Sequence, residues 1–154
     1  MQLSSCYLFQ GLSEAQLNQI ISIGRETKIL KGHWLYRENE AAEHMFILKD
    51  GAVELITIVD DVVELPIAIK REPGICFGTA ALVPPHVYSL SARGMEGGSL
   101  LSINKADLQN LIQQDPEFGR IILTNLARHF LDRLKETRKE LEIHFKTLFK
   151  STHQ

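Results

Sequence analysis

The chain has 154 residues, 44% hydrophobic and 23% charged, which suits one soluble domain with a core of its own. A formal net charge of −2 offers no bulk attraction to nucleic acid or to an anionic membrane surface. Cys6 and Cys76 are too few and too far apart in sequence for a disulfide framework or a CxxC zinc site; with no bilayer-length apolar run and no basic, apolar leader in Met1–Ser5, two reduced thiols in a cytoplasmic protein are expected.

The first predicted element is a helix. Ser13 stands as its N-cap with Gln16 at the capping-box position, Leu12 and Leu17 take the staple positions, and Gly24 ends it. Leu17, Ile20 and Ile21 give it one apolar face. From about residue 27 to 103 short β-rich runs follow: Ile29-Leu30, Trp34 to Tyr36, Met45 to Leu48, Val53 to Val59, Val62 to Ile69, Val87 to Ala92 and Leu100 to Ile103. Lys31-Gly32, Asp50-Gly51, Asp60-Asp61, Pro73-Gly74, Pro84-Pro85 and Gly97-Gly98 punctuate them. Such spacing predicts an antiparallel sandwich or barrel, and Pro66 inside one run predicts an edge strand or a bulge. Asn104 then caps a short helix carrying Leu108, Leu111 and Ile112. Asp115-Pro116-Glu117 starts a second one that runs without Gly or Pro from Gly119 to about Lys150. Without repeats or linkers, residues 1–154 are read as a single domain: α+β, mainly β, an antiparallel β-roll with an N-terminal helix and a long C-terminal helix.

In that order of elements, several segments resemble the cyclic-nucleotide-binding domain family, which includes catabolite activator proteins and kinase regulatory subunits. Leu8-Phe9-Gln10-Gly11-Leu12-Ser13 resembles the family's "LFxGLS" opening. Lys31-Gly32 with Leu35 to Glu40 resembles "KGxxLxxEGD", and Met45 to Glu54 is similar to its central strand pair. Pro73-Gly74, Phe77-Gly78 and Ala81-Leu82 follow in family order. The resemblance covers nearly the whole chain and implies a β-roll with a phosphate-binding cassette.

The resemblance places that cassette at Phe77 to Ala92 and implies a ligand site at Gly78, Thr79, Ala80, Ala81, Leu82, His86, Val87 and Ser89. In the family pattern a glutamate holds the ribose hydroxyl and an arginine holds the phosphate. Here Thr79 stands at the glutamate position and His86 at the arginine position, with a shorter connecting loop. A mostly neutral imidazole, whose ordinary pKa is about 6.5, replaces a fixed charge. His86 is therefore a conditional phosphate contact, charged when protonated, or else a loop histidine in a site without a ligand. Arg93, further along the same strand, is expected on the opposite face.

Other chemistries have weaker support. Cys76 beside the cassette suggests a haem or redox role, against which stands a buried small residue. His33, His44, Glu38, Glu40 and Glu43 invite a metal reading, but no HxH pair exists. Ser4, Ser5, Ser13 and Ser102 lack a nucleophile-elbow context, and Gly94 to Gly98 reads as a hairpin turn rather than a phosphate loop.

The last helix carries a heptad seam. Ala127, Leu134, Leu141 and Leu148 form one line; Phe130, Thr137 and His144 form the other. Up to about Leu126 the helix is expected to pack on its own roll; beyond that, the seam predicts a homodimer. The residues through Gln154 leave no room for the helix-turn-helix that family transcription factors append, so DNA binding by that mode is not expected of this chain. The sequence thus predicts a non-enzymatic regulatory module. It would sense a small anionic ligand, a cyclic nucleotide or another anion but not classical cyclic AMP, and act on a downstream protein of unknown identity. The alternatives are a ligand-free dimeric scaffold and a haem- or metal-dependent sensor.

Overall fold

Ser13 opens the first helix as the capping-box spacing predicts. Its hydroxyl accepts from the Gln16 N–H at 3.2 Å, and the Gln16 side-chain oxygen accepts from the Ser13 N–H at 2.9 Å. A computed structural model describes residue 3 and residues 6–153; Met1, Gln2, Ser4 and Ser5, part of the segment read as lacking a leader, lie outside it, as does Gln154. A 3₁₀ turn (Tyr7–Phe9) precedes α1 (Glu14–Ile23), then β1 (Gly24–Ile29), β2 (Trp34–Tyr36), β3 (His44–Val59), β4 (Val63–Lys70) and β5 (Cys76–Phe77). A second 3₁₀ turn (Thr79–Leu82), β6 (Ser91–Asn104), α2 (Lys105–Gln114) and α3 (Pro116–Thr152) complete the chain.

All strand pairings are antiparallel, in the order β1-β6-β3-β4, with β2 also on β6 and β5 also on β3. The β-roll expectation holds. Its internal punctuation differs. Asp50-Gly51 does not break a strand and Gly94 to Gly98 is not a hairpin: β3 and β6 pair from His44 opposite Asn104 to Ile56 opposite Ser91. The register shifts between Leu48 and Val53 instead. The turn-type residues build a bulge. Gly51 takes a φ of +85°, a Cβ on Gly98 would overlap the Asp50 carbonyl, and the Asp50 carboxylate accepts from the Ser99 hydroxyl at 3.0 Å. The predicted strand from Val87 to Ala92 begins only at Ser91. Before it, the Tyr88 backbone is committed to the Asn39-Glu40 turn, donating to Glu40 and accepting from Asn39. Pro66 lies on the edge strand β4 beside a bulge, where Leu55 faces Ala68 but Ile56 faces Pro66.

Helix starts follow local chemistry. The Asn104 side chain accepts from the Ala106 N–H at 2.8 Å, and the Asp115 carboxylate accepts from the Phe118 N–H at 3.1 Å. Gln16 donates to the same carboxylate at 2.9 Å and ties α1 to the start of α3. The core gathers Leu8, Phe9, Ile20, Met45, Ile47, Leu48, Ile103, Leu108 and Phe118. Asn125 on α3 donates to the Leu8 and Gln10 carbonyls at 2.9 and 2.8 Å, clamping the N-terminal turn. Leu126 is the last buried residue of α3; every described residue from Leu131 onward is exposed.

Candidate functional site

A cavity of about 240 Å³ opens between the cassette, β4, the N-terminal turn and α3. Gly78 forms its inner corner with φ +73°, and a Cβ there would stand 3.2 Å from Phe46 and 3.3 Å from the His44 carbonyl oxygen. Behind it Tyr36, Phe46, Phe77 and Tyr88 stack, with Tyr36 and Tyr88 ring centroids 3.7 Å apart. The Tyr88 hydroxyl donates to the His44 carbonyl at 2.7 Å and so fixes the ring. Burial pushes the Tyr36 hydroxyl well above the ordinary tyrosine range, so it stays protonated.

Four of the eight expected cassette residues, Gly78, Thr79, Ala80 and Ser89, line this cavity. Ala81 and Leu82 are buried in the core beneath it. Val87 is exposed and bridges Ala41. His86 is not on the cavity wall: its φ is +56°, its Nδ1 lies 3.1 Å from the Ala80 carbonyl, and its own carbonyl accepts from the Ala42 N–H at 2.7 Å. Arg93 is engaged elsewhere. It grips Glu64 with two bonds of 3.0 and 2.8 Å, reaches Glu54 at 2.7 Å and lies over the Trp34 ring. Among the described residues no group of three or more His, Cys, Asp or Glu is placed to hold a metal, and no helix is long and apolar enough to cross a membrane.

Sequence reasoning missed three basic groups on the wall: Lys70 at the end of β4, and His129 and Arg133 one turn apart on α3. Burial, then the neighbouring Arg133, holds the Lys70 ammonium below the usual lysine range. Burial, then Lys70 and Arg133, does the same to His129, whose ring stacks on Tyr7 at 4.0 Å. Arg133 has Glu136 as an exposed partner at 3.1 Å; Lys70 has no carboxylate at ion-pair distance among the described residues. These groups share one cavity, where Lys70 and His129 are harder to charge because of burial and the cations beside them, an arrangement that an anion relieves.

The α3 seam is exposed as the heptad reading requires: Phe130 49%, Leu134 56%, Leu141 67% and Leu148 67%. Thr137, His144 and Ala127 are exposed beside them. Leu131 and Phe145, also exposed, flank the same leucine line on its other side, so the stripe is broader than two heptad positions.

The family model "Cyclic nucleotide-binding domain" matches residues 26–115. A cyclic nucleotide-gated potassium channel of Mesorhizobium japonicum is 31% identical over 114 residues, 74% of this chain and 30% of the channel. Potassium channel AKT6 of Arabidopsis thaliana is 29% identical over 126 residues, 82% of this chain and 14% of the channel. The chain thus spans less than a third of either relative. Among solved structures, the catabolite activator protein of Thermus thermophilus superposes with a TM-score of 0.76 at 25% identity, covering 89% of this chain and 62% of that one.

Proposed function

The chain belongs to the cyclic nucleotide-binding domain family, and from that premise we propose that it is a regulatory module sensing a small anionic ligand through a charge set of its own. The observation that carries this reading is the grouping of Lys70, His129 and Arg133 on the cavity beside the Gly78 turn. A nucleotide-like ligand, with an aromatic ring and a phosphate, suits a wall that combines Tyr36, Tyr88 and Phe130 with these cations. Classical cyclic AMP is not the preferred ligand, because Thr79 and His86 replace the family's ribose and phosphate contacts. Nothing in this mechanism breaks or forms a covalent bond.

The signal passes to a second copy of the chain. Phe130 lines the cavity and is also half-exposed on the α3 stripe, so a ligand that moves it acts on the dimer seam. Val63, Leu65 and Ile67 are exposed on the edge strand β4 up to its bulge, adding apolar surface beside the cavity, whose wall Ile67 joins. The module works in the cytoplasm, upstream of a protein partner.

Thermal denaturation against cyclic AMP, cyclic GMP, cyclic dinucleotides and linear nucleotides tests the reading, because a ligand of the folded state raises the apparent midpoint. At least one anion is expected to raise it in the wild type and not in the Lys70→Ala, Arg133→Ala double variant. If no anion does so, the dimeric scaffold remains.

A further inference from the structure

We propose that Cys6 and Cys76 form a dithiol site that hydrogen peroxide converts to an intrachain disulfide, covalently tying the N-terminal turn to the strand that leads into the cassette. The two residues are 70 apart in sequence, yet their sulfurs stand 2.7 Å apart and both side chains are buried. A bonded pair sits at about 2.05 Å, so the two sulfurs need to close by less than about 1 Å. A structural role for two small apolar side chains does not require sulfur at both positions in this contact.

The surroundings divide the labour between the two thiols. Cys6 lies on the wall of a separate cavity of about 240 Å³ with Tyr7, Glu72 and Pro73, which gives a water-sized oxidant a route from outside. Cys76 sits deeper, on β5, and faces the ligand cavity. A hydrogen bond from the Cys76 thiol is the main influence holding the Cys6 thiol below its usual range, whereas burial pushes Cys76 well above it. The Lys70 ammonium faces the pair and favours a thiolate; the Tyr7 hydroxyl beside it stays protonated.

The Cys6 thiolate attacks one peroxide oxygen, the O–O bond breaks, and hydroxide leaves, giving Cys6 sulfenic acid. Cys76 sulfur then attacks the sulfenic sulfur. The S–S bond forms, the S–O bond breaks, and that oxygen leaves as water with the Cys76 proton. Two thiols are oxidised by two electrons, and one peroxide is reduced to two waters. The bridge lies two residues before Gly78 and ties Cys76, on the wall of the ligand cavity, to the residue preceding Tyr7 on that same wall, so the oxidation state bears on the geometry of that corner. This inference does not depend on what the cavity binds.

The full chain, reduced and then exposed to one equivalent of peroxide, is alkylated and weighed intact. Loss of two hydrogens, disappearance of both alkylatable thiols, reversal by a dithiol reductant and an unchanged chain length on a non-reducing gel are expected. In Cys76→Ser the sulfenic acid of Cys6 is expected to accumulate and be trapped by dimedone. Two thiols that remain alkylatable, oxygen added separately to either sulfur, or a disulfide between chains overturns the proposal. The wild-type measurement decides the matter even if Cys76→Ser does not fold.

Discussion

Lys70 and Arg133 face one cavity from two elements distant in sequence, Lys70 from the end of the edge strand β4 and Arg133 from the fifth turn of α3. Burial makes the Lys70 charge harder to keep, and the Arg133 charge adds to the cost. An anion between them removes that penalty. Each charged hydrogen bond lost is worth about 1.5–3 kcal/mol, so Lys70→Ala and Arg133→Ala should each weaken the binding of an anionic ligand by roughly 10- to 150-fold. His86→Ala should change affinity by less than about threefold, because that side chain holds the Ala80 carbonyl and is not on the wall. Calorimetric titration of the three variants checks the ranking; a larger loss in His86→Ala than in Lys70→Ala returns the anion contact to the cassette.

How much of this was legible in the sequence depends on the range of the interaction. Ser13, Asn104 and Asp115 act within three residues of themselves, and all three caps are where the sequence puts them. Asp50-Gly51 and Gly97-Gly98 misled because glycine serves a bulge as well as a turn, and only the partner strand decides between the two. Lys70, His129 and Arg133 carry no local signature. Their meeting is set by how α3 lies against β4, which no spacing within either element encodes. The same holds for Cys6 and Cys76. Leu131 and Phe145 stand two heptads apart beside the Leu134 line, but Arg138 takes the heptad position between them, so no continuous apolar line marks that side in the sequence.

Gly78→Ala should destabilise the fold by about 1–2 kcal/mol, because an L-residue pays roughly that much for the left-handed conformation. The new Cβ would also press on Phe46 and the His44 carbonyl. Urea unfolding should show a lower midpoint with an unchanged slope. Gly32→Ala offers a comparison, for it shares a positive φ but has open space where the Cβ would go; the loss there should be the smaller of the two.

Acidification should loosen the contact between α3 and the N-terminal turn. The His129 pKa is lowered in the fold, first by burial and then by Lys70 and Arg133, while the unfolded chain titrates near the ordinary value of about 6.5. Above that value the imidazole is neutral in both states and the contribution is fully present. As pH falls below it, the unfolded chain takes up the proton first, so stability declines through the folded-state pKa. Midpoints measured from pH 7.5 to 5 should fall less steeply in His129→Phe, which keeps a ring to stack on Tyr7 and removes the titration. Equal slopes in the two proteins would assign the acid sensitivity to other groups.

The last expectation concerns assembly. Leu134, Leu141 and Leu148 are each more than half exposed and lie seven residues apart on a helix that has left its own core at Leu126. A parallel pairing of two α3 helices buries this line twice, once from each chain, with Phe130 and Leu131 at its start and Phe145 near its end. Full burial of a leucine contributes about 1.5–3 kcal/mol, so removing two per chain should weaken the dimer by several orders of magnitude. Leu134→Glu with Leu141→Glu should therefore give a monomer by light scattering at concentrations where the wild type has twice the monomer mass. The β-roll does not use these side chains, so the near-ultraviolet circular dichroism of its buried Tyr36 and Tyr88 should persist in the variant. A wild-type protein that stays monomeric at tens of micromolar overturns the seam and leaves the stripe to a different partner.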